Sequence, residues 1–146
     1  MANILVVDDD CFVRNIIREV LTLNKHNVTE ASDGLEALKA IGSNALPDLI
    51  FIDHQMPRLS GVDCARQLKT LYPSLKIVLV SGSVGIDDDG YLAAYKYLFT
   101  DVILKPFRIK DLVSTVGYAL GGRAQESIKT FEWSVPRERG LSIRIP

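Results

Sequence analysis

The run Asp48-Leu49-Ile50-Phe51-Ile52-Asp53 constrains the fold more than any other stretch of the chain. Four apolar residues pass without a polar break into a carboxylate, and His54-Gln55-Met56-Pro57 follows at once. A short unbroken apolar run suits a strand covered on both faces, as strands are inside a parallel sheet. Pro57 has no N–H to give to a ladder, so the strand stops before it. Asp53 then lies at the strand's C-terminal end. In open parallel sheets that edge is where ligands and chemistry collect.

The same design recurs along the chain. Ile4-Leu5-Val6-Val7 stops at Asp8-Asp9-Asp10, Ile77-Val78-Leu79-Val80 stops at Ser81-Gly82-Ser83, and Val102-Ile103-Leu104 stops at Lys105-Pro106. Val28-Thr29-Glu30-Ala31 is shorter and more polar, suited to a sheet edge. Helical stripes lie between these runs. Behind a cap at Asp10 come Val13, Ile16, Ile17, Val20 and Leu21, and Ser32-Asp33-Gly34 opens a stripe of Leu35, Leu38 and Ile41 that ends at Gly42. Val62, Ala65, Leu68 and Leu71 form the third stripe, closed by Tyr72-Pro73. Asp87-Asp88-Asp89 begins a fourth helix that continues from Tyr91 to Phe99. Ile109, Leu112, Val113 and Val116 form the last, closed by Gly121-Gly122. Strands alternating with helices in this way predict an α/β fold: a doubly wound parallel sheet with right-handed crossovers and helices on both faces.

At 146 residues the chain is about one domain in size. Residues 1–122 read as that domain. Residues 123–146 change composition and are too few for a second one, so they read as a C-terminal tail. The tail either stays mobile or docks Phe131, Trp133, Ile143 and Ile145, and the alternation around Ile143 and Ile145 allows a short strand. A net charge of −1 gives no basic footprint for nucleic acid and no polybasic signal for a membrane. The first apolar run lacks a basic lead and soon meets aspartates, unlike a signal peptide or a membrane span, so the expected location is cytoplasmic. Cys11 and Cys64 have no metal-ligand spacing and are expected to be free thiols.

The strand ends bring Asp8 and Asp9, Asp53, Ser81 and Lys105 to one edge. Three neighbouring carboxylates repel one another and call for a counter-charge. Mg²⁺ (or Mn²⁺) suits a few carboxylates plus water and phosphate oxygens, with Asp9 the better direct ligand and Asp8 assisting directly or through water. With that charge neutralised, Asp53 can act as a nucleophile toward phosphorus, and Lys105 and Ser81 can stabilise the transferring group.

These stretches, with Met56-Pro57, Gly61 and Lys105-Pro106-Phe107, stand in the order and spacing of the two-component response-regulator receiver domain, and residues 3–120 resemble that family. The resemblance implies a flavodoxin-like fold with strand order 2-1-3-4-5. It implies that Asp53 accepts a phosphoryl group from a histidine kinase or histidine phosphotransfer protein, which changes affinity for a downstream protein target. It also implies that Asp8, Asp9, Asp53 and the backbone carbonyl of Gln55 hold the metal, and that Ser81 and Lys105 engage the phosphoryl group. Lacking an output domain, such a chain would be a stand-alone receiver, with homodimerisation one possible output and no enzyme activity beyond its own phosphorylation and slow dephosphorylation. Pro106 is a candidate for a cis bond with Lys105. Val102 departs from the family, which often has an aromatic switch residue there. Two other readings compete. A degenerate receiver would bind partners without phosphorylation. A haloacid-dehalogenase-type phosphatase would use Asp8-x-Asp10, but Phe12 stands where Thr or Val is expected and no acidic pair follows Lys105.

Overall fold

The apolar runs form strands because each can be covered on both sides. The computed structural model describes residues 1–43, 45–82, 95–121 and 144–145. In it β1 (Asn3–Val7), β2 (Asn27–Ala31), β3 (Leu49–Asp53), β4 (Ile77–Ser81) and β5 (Asp101–Leu104) make one parallel sheet in the order β2-β1-β3-β4-β5. Every residue of β3 and β4 is buried, whereas β2, the more polar sequence, takes an edge. The expected flavodoxin-like order is therefore observed.

Strand alternation sorts the core into two layers. Ile4 and Val6, Leu49 and Phe51, and Val78 and Val80 pack with α1 (Cys11–Leu23) and with the last helix, α4 (Ile109–Ala119). Leu5 and Val7, Ile50 and Ile52, and Ile77 and Leu79 pack with α2 (Gly34–Ser43) and α3 (Gly61–Leu71). Asp10 caps α1, its side chain accepting from the N–H groups of Phe12 and Val13. Ser60 caps α3 through the N–H of Asp63.

Two of the expected stripes hold except for one exposed member each. Leu35 and Leu71 are exposed, and Ala37 and Cys64 take interior places instead. In α2 the buried face runs Gly34, Ala37, Ile41, because Leu59 from the β3–α3 loop lies against Gly34 and fills the space there. Helix α2 also runs through Gly42 to Ser43. Cys11 is exposed, Cys64 is buried, and both are free. Of the expected fourth helix, residues 87–94 lie outside the described residues, and Lys96–Leu98 forms a single 3₁₀ turn leading into extended backbone at Phe99. In the tail, Phe131, Trp133 and Ile143 lie outside the described residues. Arg144–Ile145 forms a short strand, β7, antiparallel to β6 (Phe107–Arg108).

One glycine is required by packing. A Cβ on Gly61 would collide with the backbone carbonyl of Asp53, whereas a Cβ on Gly42 would meet nothing within 4 Å. Gly61→Ala is therefore expected to cost about 1–3 kcal/mol in urea unfolding. Gly42→Ala, in an exposed part of α2, is expected to be neutral or to gain up to about 1 kcal/mol. Equal effects of the two substitutions would contradict this account of the β3–α3 junction.

Candidate functional site

The two-residue period decides which side chains meet at the sheet's C-terminal edge. Val6, Phe51 and Ile103 face α1 and α4. Two positions further on, with the same parity, come Asp8, Asp53 and Lys105. The ladder continues past the strand ends: the Asp8 N–H donates to the Ala31 carbonyl (3.2 Å) and the Lys105 N–H to the Ser81 carbonyl (2.7 Å). Lys105 Nζ then lies 3.0 Å from Asp53 Oδ1 and 3.3 Å from Asp8 Oδ2. Asp9 is exposed at the rim, and carboxylate oxygens of Asp8, Asp9 and Asp53 all fall within 4.8 Å of one another.

The other expected residues are placed around this group. Ser81 ends β4, fully buried and of opposite parity. Gln55 is exposed in the loop two residues beyond Asp53. The Lys105–Pro106 peptide is cis. Val102 pairs with Leu79 in register and packs, half-buried, on the layer containing Leu79 and Leu98.

Sequence pattern alone did not point to three neighbouring residues. Arg14 donates through Nη1 to the Asp8 carbonyl (2.6 Å) while its Nε pairs with Glu30 (3.0 Å), so it ties the turn after β1 to β2. Asp33, legible only as a helix opener, also pairs with Arg58 in the β3–α3 loop. Each of these contacts joins separate elements and has no periodic signature. Arg58 has φ +69°, in the left-handed region, and that too is invisible in an arginine.

The donor set fits a divalent cation. Three carboxylates face one ammonium, and two of the three are nearly inaccessible, at 1% exposure for Asp8 and 6% for Asp53. Burial, reinforced by the Asp8 charge, pushes the Asp53 carboxyl up to about 6 despite Lys105. Burial also raises Asp8, against the opposing pull of the Asp10 N–H and Lys105. Burial works against the Lys105 ammonium, but the two carboxylates outweigh it and hold its pKa above the ordinary lysine value.

The sign of the Asp53 effect on stability follows. Its folded pKa of about 6 exceeds the ordinary 3.8, so between those values the native state holds the extra proton. Stability without a divalent ion therefore falls as pH rises through that window, by at most about 3 kcal/mol for two pKa units. Asp53→Asn should raise the melting temperature of the ion-free protein at pH 7.5, and the gain should shrink toward pH 4.5. Melting curves across pH showing the same difference at both ends, or a less stable variant at pH 7.5, would sink this reading.

No helix among the described residues is long and apolar enough to cross a membrane. The sequence model of the response regulator receiver domain matches residues 4–117. The response regulator MprA of Mycobacterium ulcerans is 36% identical over 111 residues, covering 76% of this chain and 47% of that protein. This chain thus spans about half the length of the curated relatives it matches. Among solved structures, the receiver domain of NtrX from Brucella abortus is 32% identical with a TM-score of 0.73, covering 81% of this chain and 98% of that one. The response regulator TrrA from Thermotoga maritima, crystallised in complex with Mg²⁺-BeF, is 28% identical with a TM-score of 0.74, covering 82% of this chain and 100% of that one. With its five strands in the order 2-1-3-4-5 and its match across most of the sequence, the chain belongs to the response regulator receiver domain family of two-component signalling proteins.

Proposed function

We propose that this chain is a phosphoacceptor in a two-component phosphorelay, with Asp53 receiving a phosphoryl group from the phosphohistidine of a histidine kinase or histidine phosphotransfer protein. The observation that carries this reading is the convergence of Asp8, Asp9, Asp53 and Lys105 at one sheet edge. An Asp53 carboxylate oxygen attacks phosphorus as the bond from phosphorus to the donor imidazole breaks, forming an acyl phosphate. Lys105, already 3.0 Å from Asp53, is placed to follow the negative charge onto the phosphoryl oxygens. Ser81, at the end of the neighbouring strand and of opposite parity, moves to bring its hydroxyl to the phosphoryl group. Held by Asp8, Asp9, Asp53 and the Gln55 carbonyl, Mg²⁺ or Mn²⁺ would offset the carboxylate repulsion and neutralise phosphoryl oxygens. The resemblance to TrrA, whose crystals contain Mg²⁺-BeF, supports the same assignment.

Phosphorylation then switches affinity for a protein target, and homodimerisation is one form such an output takes. On this reading residues 1–122 carry the receiver unit, 123–146 are an appended tail, and the protein works in the cytoplasm.

The test uses acetyl phosphate and Mg²⁺ with intact-mass detection. Wild type is expected to gain a labile phosphoryl adduct that is absent in Asp53→Asn and abolished by EDTA. If neither acetyl phosphate nor phosphorylated histidine kinases label Asp53, the protein is a phosphorylation-independent interaction module instead.

A further inference from the structure

We propose that Asp33 and Arg58 form a positioning pair that holds the β3–α3 loop in the shape needed for cation binding at the Asp8/Asp9/Asp53 cluster. This rests on the phosphoacceptor reading above. The loop spans residues 54–60, starts directly after Asp53 and carries Gln55. Its ends are fixed by backbone: the His54 N–H donates to the Val80 carbonyl (2.9 Å) and the Gly61 N–H to the His54 carbonyl (2.8 Å). Its middle is held by side chains. Met56 and Leu59 pack on the α2/α3 layer, Leu59 lies against Gly34, and the Arg58 guanidinium pairs with Asp33 Oδ2. The loop is thus stapled to the N-terminus of α2.

Two features say that this pair does more than hold a helix cap. Asp33 is only 7% exposed, and Oδ1 serves the cap, accepting from the Glu36 N–H at 2.8 Å, while Oδ2 faces Arg58. Asn and Ser cap about as well as Asp, so capping does not demand a charge; the partner of the second oxygen does. Arg58 has φ +69°, where glycine would sit without steric cost. An arginine held there sacrifices backbone comfort, and its side chain pairs with Asp33. Strained backbone of this kind persists where the surroundings over-determine it, often at functional loops. The Arg58 side chain is 60% exposed, so the ion pair adds little to global stability, and its effect falls on loop shape.

The experiment measures Mg²⁺ affinity by calorimetry and the thermal midpoint of the metal-free protein, for wild type, Asp33→Asn, Arg58→Gly and Arg58→Lys. Asp33→Asn keeps the cap and removes the charge; Arg58→Gly relieves the backbone and removes the partner. Both are expected to weaken Mg²⁺ binding by about tenfold, the size of effect seen when residues behind a metal site are altered. Their midpoints should stay near wild type, and acetyl phosphate labelling should approach the wild-type rate at saturating Mg²⁺. Arg58→Lys should recover part of the affinity. The proposal is overturned if Arg58→Gly binds Mg²⁺ as well as wild type, since backbone shape alone would then set the loop. It is equally overturned if affinity falls only in step with the midpoint. Wild type that binds no Mg²⁺ removes the phosphoacceptor reading itself; wild type that binds, with unchanged variants, removes only the pair.

Discussion

A single ammonium stands between two carboxylates that the fold has taken out of water. Lys105 touches both Asp8 and Asp53, and Asp9 adds a third negative group at the rim. Left alone, such a cluster would take up protons or open to solvent, and the raised pKa of Asp53 shows the first tendency at work. The rest of the molecule has to impose the arrangement. It does so through a five-stranded sheet whose central strands are buried along nearly their whole length. Sheet register fixes the height of each side chain, and strand parity fixes its face. The cluster therefore inherits the rigidity of the core directly beneath it.

That dependence explains why so much was legible in the sequence. Unbroken apolar runs ending in charged residues report both the strand and the place where it ends, and Asp8, Asp53 and Lys105 each come two residues after a core side chain. Helix faces were read less well. Leu35 looked like an interior residue by spacing and hydrophobicity, yet Ala37 is buried instead, because Leu59, some twenty residues later in the chain, occupies the space beside Gly34. The Asp33–Arg58 and Arg14–Asp8 contacts failed for the same reason. Contacts between elements set these residues, and one-dimensional periodicity carries no record of them. Gly61 was visible as a motif glycine, but its cause, the Asp53 carbonyl against its Cα, is a fact of three dimensions.

The site thus has two kinds of support. Its floor consists of strand ends that cannot move without disturbing the ladder. Its wall is the β3–α3 loop, which has few backbone bonds of its own and depends on side chains reaching to α2. A phosphoacceptor needs both properties: a nucleophile held in place, and a neighbouring surface able to change when charge arrives.

Val102 narrows how such a change could leave the site. Valine is stiff at χ1, and this one is packed on the α2/α3 layer and paired with Leu79. A ring swinging between buried and exposed positions is not open to it. Among the described residues, backbone links also lead away from the site. Ser81 pairs with Leu104, and the Lys105 N–H is held at 2.7 Å by the Ser81 carbonyl, so β4 and β5 stay coupled up to the lysine itself. Two residues beyond that lysine, Phe107 is buried in the α1/α4 layer and begins β6, the strand that pairs with Arg144–Ile145 of the tail. Phe107 thus joins Lys105, two residues before it, to the α1/α4 core layer and to the Arg144–Ile145 strand.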